Sequence, residues 1–142
     1  MKWMIILHLL GACVWVGGHL ILSIRILPEV LKTKNLDLLL DFEKRYERIG
    51  IPALLLQLIS GIILALQYNP QLIGFENEVQ SIISIKLILL ALTLALGIHA
   101  RFFIFPKLTE KNLNALAAHV LAVTFLSLVF LYLGVSIRFG GF

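Results

Sequence analysis

The stretch Trp3–Ile24, WMIILHLLGACVWVGGHLILSI, decides the fold. It contains no formal charge, and a helix needs about 20 apolar residues to cross a hydrocarbon core of about 30 Å. Only two ionisable imidazoles, His8 and His19, interrupt it. An ionisable side chain inside such a span is costly, so it points to function. Eleven steps of about 100° come to roughly three full turns, which leaves the two rings about 20° apart on one stripe and about 16 Å apart along the axis. Trp15 falls on the same stripe, with Gly11 and Ala12 beside it. Histidines, an aromatic ring and small residues on one face suit the wall of a binding site better than a lipid-facing surface.

Working outward, the whole chain repeats that character. Of its 142 residues, 60% are hydrophobic and 14% charged, and the mean hydropathy is +0.99. These values exclude an ordinary soluble domain and leave a single transmembrane domain over 1–142. The single cysteine, Cys13, lies inside the first span, so there is no disulfide framework and no CxxC metal motif. A cleaved signal peptide is not expected, because the first span is long and lacks a small-x-small site. The net charge of +4 sits beside apolar spans and gives no nucleic-acid surface.

Four spans are predicted, at about 3–27, 49–68, 81–105 and 112–137. Pro52 falls in the first turn of the second, where a missing N–H costs little, and Asn69-Pro70 ends it. The third carries Lys86 near its start and His99 near its end. The fourth is interrupted only by His119. Between the first two spans, Leu39, Phe42, Tyr46 and Ile49 recur at helical steps. Residues 36–48 are therefore expected as an amphipathic helix along the membrane surface, with Asp41 and Arg45 paired and a turn at Gly50. The fold expected is all-α, an integral membrane antiparallel four-helix bundle.

Lys and Arg counts orient it. Arg25, Lys32, Lys34, Lys44, Arg45, Arg48, Arg101, Lys107 and Lys111 share one end, while Lys2, Lys86 and Arg138 belong to the other. The positive-inside rule then puts the two basic connections in the cytoplasm and both termini in the periplasm.

Counting along the spans sets depth. His19, His99 and His119 all come within about two turns of the basic end, so three imidazoles from three helices are expected at one level, with His8 alone in the outer half. Imidazole ligates haem iron axially and suits copper equally. One expectation is a b-type haem held between two of these histidines, with Ala115, Ala118 and Ala122 leaving room for the macrocycle and Arg25 and Arg101 pairing with its propionates. The other is a copper ion on two or three of them, with His8 a further candidate ligand. Soft donors for copper(I) are few: only Met1, Met4 and Cys13 are available, all at the first helix. Lys86 is expected to snorkel to the outer headgroups. Gln57, Ser60 and Gly61 either line a polar cavity or bond and pack between helices.

The runs His8-Leu-Leu-Gly-Ala-Cys-Val-Trp15-Val-Gly-Gly-His19 and Lys86-Leu-Ile-Leu-Leu-Ala-Leu-Thr-Leu-Ala-Leu-Gly-Ile-His99-Ala-Arg101 resemble small proteins of the CopD copper-resistance family. The segments Arg45-Tyr-Glu-Arg-Ile-Gly-Ile-Pro52-Ala and Ala-His119-Val fit the same variety. The resemblance implies a bacterial inner-membrane protein of copper tolerance or uptake, with a periplasmic copper protein as partner. Such a protein is either an electron-transfer protein with a quinol donor or a non-catalytic copper permease or accessory subunit whose histidines line a route. A fainter resemblance, carried by the first-helix His and Trp and by Ile85-Lys86-Leu87, is to the HemJ membrane oxidases, which implies haem b and a haem-dependent oxidoreductase.

Overall fold

The computed structural model describes residues 2–141; Met1 and Phe142, the ends of the expected domain, lie outside them. Every regular element among the described residues is a helix: α1 (Lys2–Ile21), α2 (Leu27–Thr33), α3 (Leu36–Tyr68), α4 (Glu78–His99) and α5 (Leu113–Arg138). Short π-helical turns at Leu22–Ile26 and Ala100–Ile104 prolong α1 and α4. Helix therefore runs on over Lys2–Thr33 and Glu78–Lys107, which with α3 and α5 make four stretches long and apolar enough to cross a membrane. The chain is an all-α, multi-pass membrane protein.

The boundaries follow local chemistry. Lys34 takes a left-handed conformation (φ 57°) after α2, and Asn35 then caps α3 by accepting from the Leu38 N–H. Asn77 caps α4 in the same way through Gln80 N–H at 2.9 Å. Asn69, extended before Pro70, stops α3.

The surface helix expected over 36–48 does not end at Gly50. It continues without a turn to Tyr68, and Pro52 lies deep in the helix interior. The expected Asp41–Arg45 ion pair is likewise not among those formed by the described residues. Packing explains the continuity. The Tyr46 ring lies over Gly18 of α1 and beside Gly50; a Cβ on Gly18 would overlap the ring, and one on Gly50 would meet it at 2.8 Å. Gly50 thus supplies room for that ring, and a contact made across the α1–α3 seam holds α3 in line.

In space the helices follow the order α3–α1–α5–α4, each antiparallel to its neighbour, and α3 touches α4 only sparingly. Within the apolar spans small and polar contacts lie beside buried Val16, Val123 and Leu126. Gly11 lies against Ala53 and Gln57, and Ser23 Oγ is 2.6 Å from Thr124 Oγ1. Lipid is as apolar as leucine, so close approach and interhelical bonds drive this packing. The apolar core sits instead at the basic end, where Leu27, Val30, Leu39, Ile104, Leu113 and Leu116 close together. There the helices overrun the hydrocarbon thickness and water supplies the ordinary hydrophobic drive.

Candidate metal centre at the basic end

Two of the expected histidines meet. His99, at the last residue of α4, and His119, in the second turn of α5, bring Nδ1 and Nε2 to 2.9 Å, with ring centroids 4.9 Å apart and planes 16° from parallel. The His119 Nδ1–H donates to the Ala115 carbonyl at 2.9 Å. That bond makes His119 Nε2 the lone-pair nitrogen, so His99 Nδ1–H is the donor to it and His99 Nε2 keeps the second lone pair. Phe103, one turn on, stacks on the His99 ring at 5.4 Å. His99 is exposed and His119 half-buried among the protein atoms.

His19 does not join them, contrary to the expectation of three imidazoles at one level. Its Nδ1–H donates to the Trp15 carbonyl at 3.0 Å, and its ring lies 4.5 Å from Trp15 and 6.1 Å, edge-on, from Tyr46. The Thr124 hydroxyl reaches the His19 carbonyl at 3.4 Å, and Thr124 lies about 7.5 Å along α5 from His119. Among the described residues no group of three or more His, Cys, Asp or Glu side chains is placed to hold a metal. Linear counting gives depth along one helix; the sliding of α1 against α5 decides the level.

The remaining candidates go elsewhere. His8 packs over Gly61 in the half of the spans away from the basic end, its Nδ1 3.1 Å from the Gln57 carbonyl and 3.0 Å from Ser60 Oγ. Since Ser60 donates its own proton to the Leu56 carbonyl at 2.6 Å, its oxygen is the acceptor from His8. Gln57 and Ser60 thus act in interhelical bonding. Lys86 lays its Nζ against Gly134 of α5, 3.5 Å from where a Cβ would stand. Arg25 pairs with Glu29 of its own turn at 3.7 Å. Arg101 bridges to α3 instead of facing a propionate site, bonding Glu43 at 3.1 Å and Glu47 at 2.8 Å.

The donor set tests the two expected occupants. Two axial imidazoles on one iron stand on opposite sides of it, about 4 Å apart for bonds of about 2.0 Å, with a flat ring between. At 2.9 Å, with Nδ1 aimed at Nε2, His99 and His119 leave no such gap, and both guanidiniums expected at the propionates are engaged. A haem between these two rings does not fit as they stand. For a single ion the match is closer: two nitrogens on one tetrahedral metal lie roughly 3.3 Å apart, a few tenths of an ångström from the spacing here.

Tyr46 was not legible as a site residue. Its hydroxyl donates to the Val14 and Trp15 carbonyls, each at 3.2 Å, and so shares an acceptor with His19. The Gly17-Gly18 pair was the available signal, since adjacent small residues in a span mark a close helix crossing.

Four antiparallel helices long and apolar enough to cross a membrane define the class: an all-α, multi-pass membrane protein, here with a histidine pair between neighbours at the basic end. The model of the CopD family, described as copper resistance protein D, matches residues 40–137. The chain belongs to that family and is a copper resistance membrane protein. The matched region contains His99 and His119, while His8 and His19 lie before it. No curated protein and no solved structure matches the chain.

Proposed function

We propose that the chain handles copper as cargo within the membrane, holding the ion between His99 and His119 at the cytoplasmic end. The observation that carries this is the 2.9 Å approach of the two imidazole nitrogens from neighbouring helices, inside the region that makes the chain a copper resistance protein. The ion takes the place of the shared proton. His99 then carries its hydrogen on Nε2, and His119 stays fixed in the ligating tautomer by the Ala115 carbonyl. Two protein ligands suit an ion that is taken up and released; resident structural centres generally use four. A b-type haem on the same residues, with electron transfer from a membrane donor such as quinol, requires the rings to part by about an ångström, so copper comes first.

Copper titration of the purified protein, followed by elemental analysis and the visible spectrum, tests the reading. His99→Ala and His119→Ala are each expected to weaken copper binding about tenfold or more, and His19→Ala is expected to leave it unchanged. Stoichiometric iron with a sharp reduced-minus-oxidised b-type band, lost in His99→Ala, overturns it in favour of haem. Copper binding indifferent to both substitutions removes the pair from the function.

A further inference from the structure

A second site lies on the other side of the molecule, across the α1–α3 seam. Asp41, Lys44, Arg45 and Arg48 follow one another at i, i+3, i+4 and i+7, one stripe of α3, and line a hollow on its surface. Arg45 also lines an adjoining open groove of about 510 Å³, walled by Cys13, Val14, Gly17 and Ile21 of α1 and by Phe42 and Ile49 of α3. A polar hollow with three cations and one carboxylate thus opens into an apolar channel.

Depth makes the cations unusual. Tyr46 is bonded to Val14 and Trp15, so its neighbours Arg45 and Arg48 stand level with the inner half of the uncharged α1 run. All three basic side chains are exposed, and among the described residues none forms an ion pair, whereas Arg25 and Arg101 both do. Long cationic side chains at that level lay their stems on apolar surface and reach for the headgroup phosphates. The groove beneath has open space at Gly17, where a Cβ would meet nothing within 4 Å.

We infer that this hollow and groove bind one anionic phospholipid, its phosphate on Lys44, Arg45 and Arg48 and an acyl chain along Gly17, Ile21, Phe42 and Ile49. Charge complementarity selects the headgroup and the apolar channel selects a lipid over a free anion.

Native mass spectrometry of the full chain, released from detergent with phosphatidylglycerol and phosphatidylcholine of identical acyl chains, tests this. Expected is preferential retention of one phosphatidylglycerol, undiminished by excess inorganic phosphate. K44Q/R45Q/R48Q should reduce the preference about tenfold, with the single substitutions Arg45→Gln and Arg48→Gln each giving a smaller loss. Gly17→Leu, which puts a branched side chain into the groove at a position where a Cβ meets nothing within 4 Å, should lower retention of both lipids. Equal retention of the two lipids overturns the proposal, as does a preference that survives the charge substitutions. Displacement by phosphate, or indifference to Gly17→Leu, reduces the site to a surface anion patch and overturns it equally.

Discussion

At the scale of single residues, one contact carries a disproportionate share of the α1–α3 seam. The Tyr46 ring occupies the space that a side chain on Gly18 would take, and its hydroxyl donates to the Val14 and Trp15 carbonyls of the facing helix. Interhelical hydrogen bonds in membranes average about 0.6 kcal/mol, so Tyr46→Phe is expected to cost no more than about that in thermal unfolding of the detergent-solubilised protein. Gly18→Ala forces the ring off its seat and is expected to cost about 1–3 kcal/mol, the usual range for overpacking. In the double substitution Gly18→Ala with Tyr46→Ala the steric loss disappears, so the combined effect falls short of the sum. Simple additivity would show that the two residues do not share this seat. The histidines teach the same lesson. Their presence in apolar spans marked them as functional, but whether a ring meets a partner or turns to its own carbonyl is a matter of neighbours. His99 and His119 have each other; His19 has Trp15 and Tyr46.

At the scale of elements, α3 and α4 touch only sparingly. At the basic end the joint is Arg101 with Glu43 and Glu47, one turn apart on α3. The arginine side chain is 49% exposed, so water and salt screen these bonds and Arg101→Gln is expected to lower stability by no more than about 1 kcal/mol. That difference should vanish on titration with salt; a loss that persists at high ionic strength would mean the guanidinium is held by something besides charge. Arg25 and Arg101 both lie in π-helical turns. Each such turn shifts the register of the side chains that follow, which no periodicity count on a regular helix can anticipate. Pro52 is a further case. Its missing N–H leaves the Arg48 carbonyl without its helical donor, so Pro52→Ala is expected to slow amide exchange across that turn. An unchanged exchange rate there would show that the turn is held entirely by packing against α1.

For the whole molecule, orientation rests on charge. Nine of the twelve Lys and Arg residues sit on the two basic connections and their helix ends, which predicts those connections on the cytoplasmic side. In a Cys13→Ser background, a cysteine at Thr109 should resist an impermeant thiol reagent added to intact cells, and one at Gln71 should react. The reverse pattern would invert the topology and place the histidine pair on the opposite face. The same asymmetry appears in the packing: an apolar cluster closes at the basic end, while close approach at Gly11 and the Ser23–Thr124 bond join helices within the spans.

How much was legible divides along a physical line. Hydropathy, helix length, caps such as Asn77 and the distribution of Lys and Arg are local or additive quantities, so the sequence alone determined an all-α four-span membrane protein, its expected orientation and the histidines as its functional candidates. Whether Gly50 bends a helix, whether His19 stands level with His119 and which carboxylates claim Arg101 depend on how one helix slides and turns against another. That register comes from contacts such as Tyr46 on Gly18 and Thr124 on His19, made between residues far apart in the chain, and only the tertiary structure decided it.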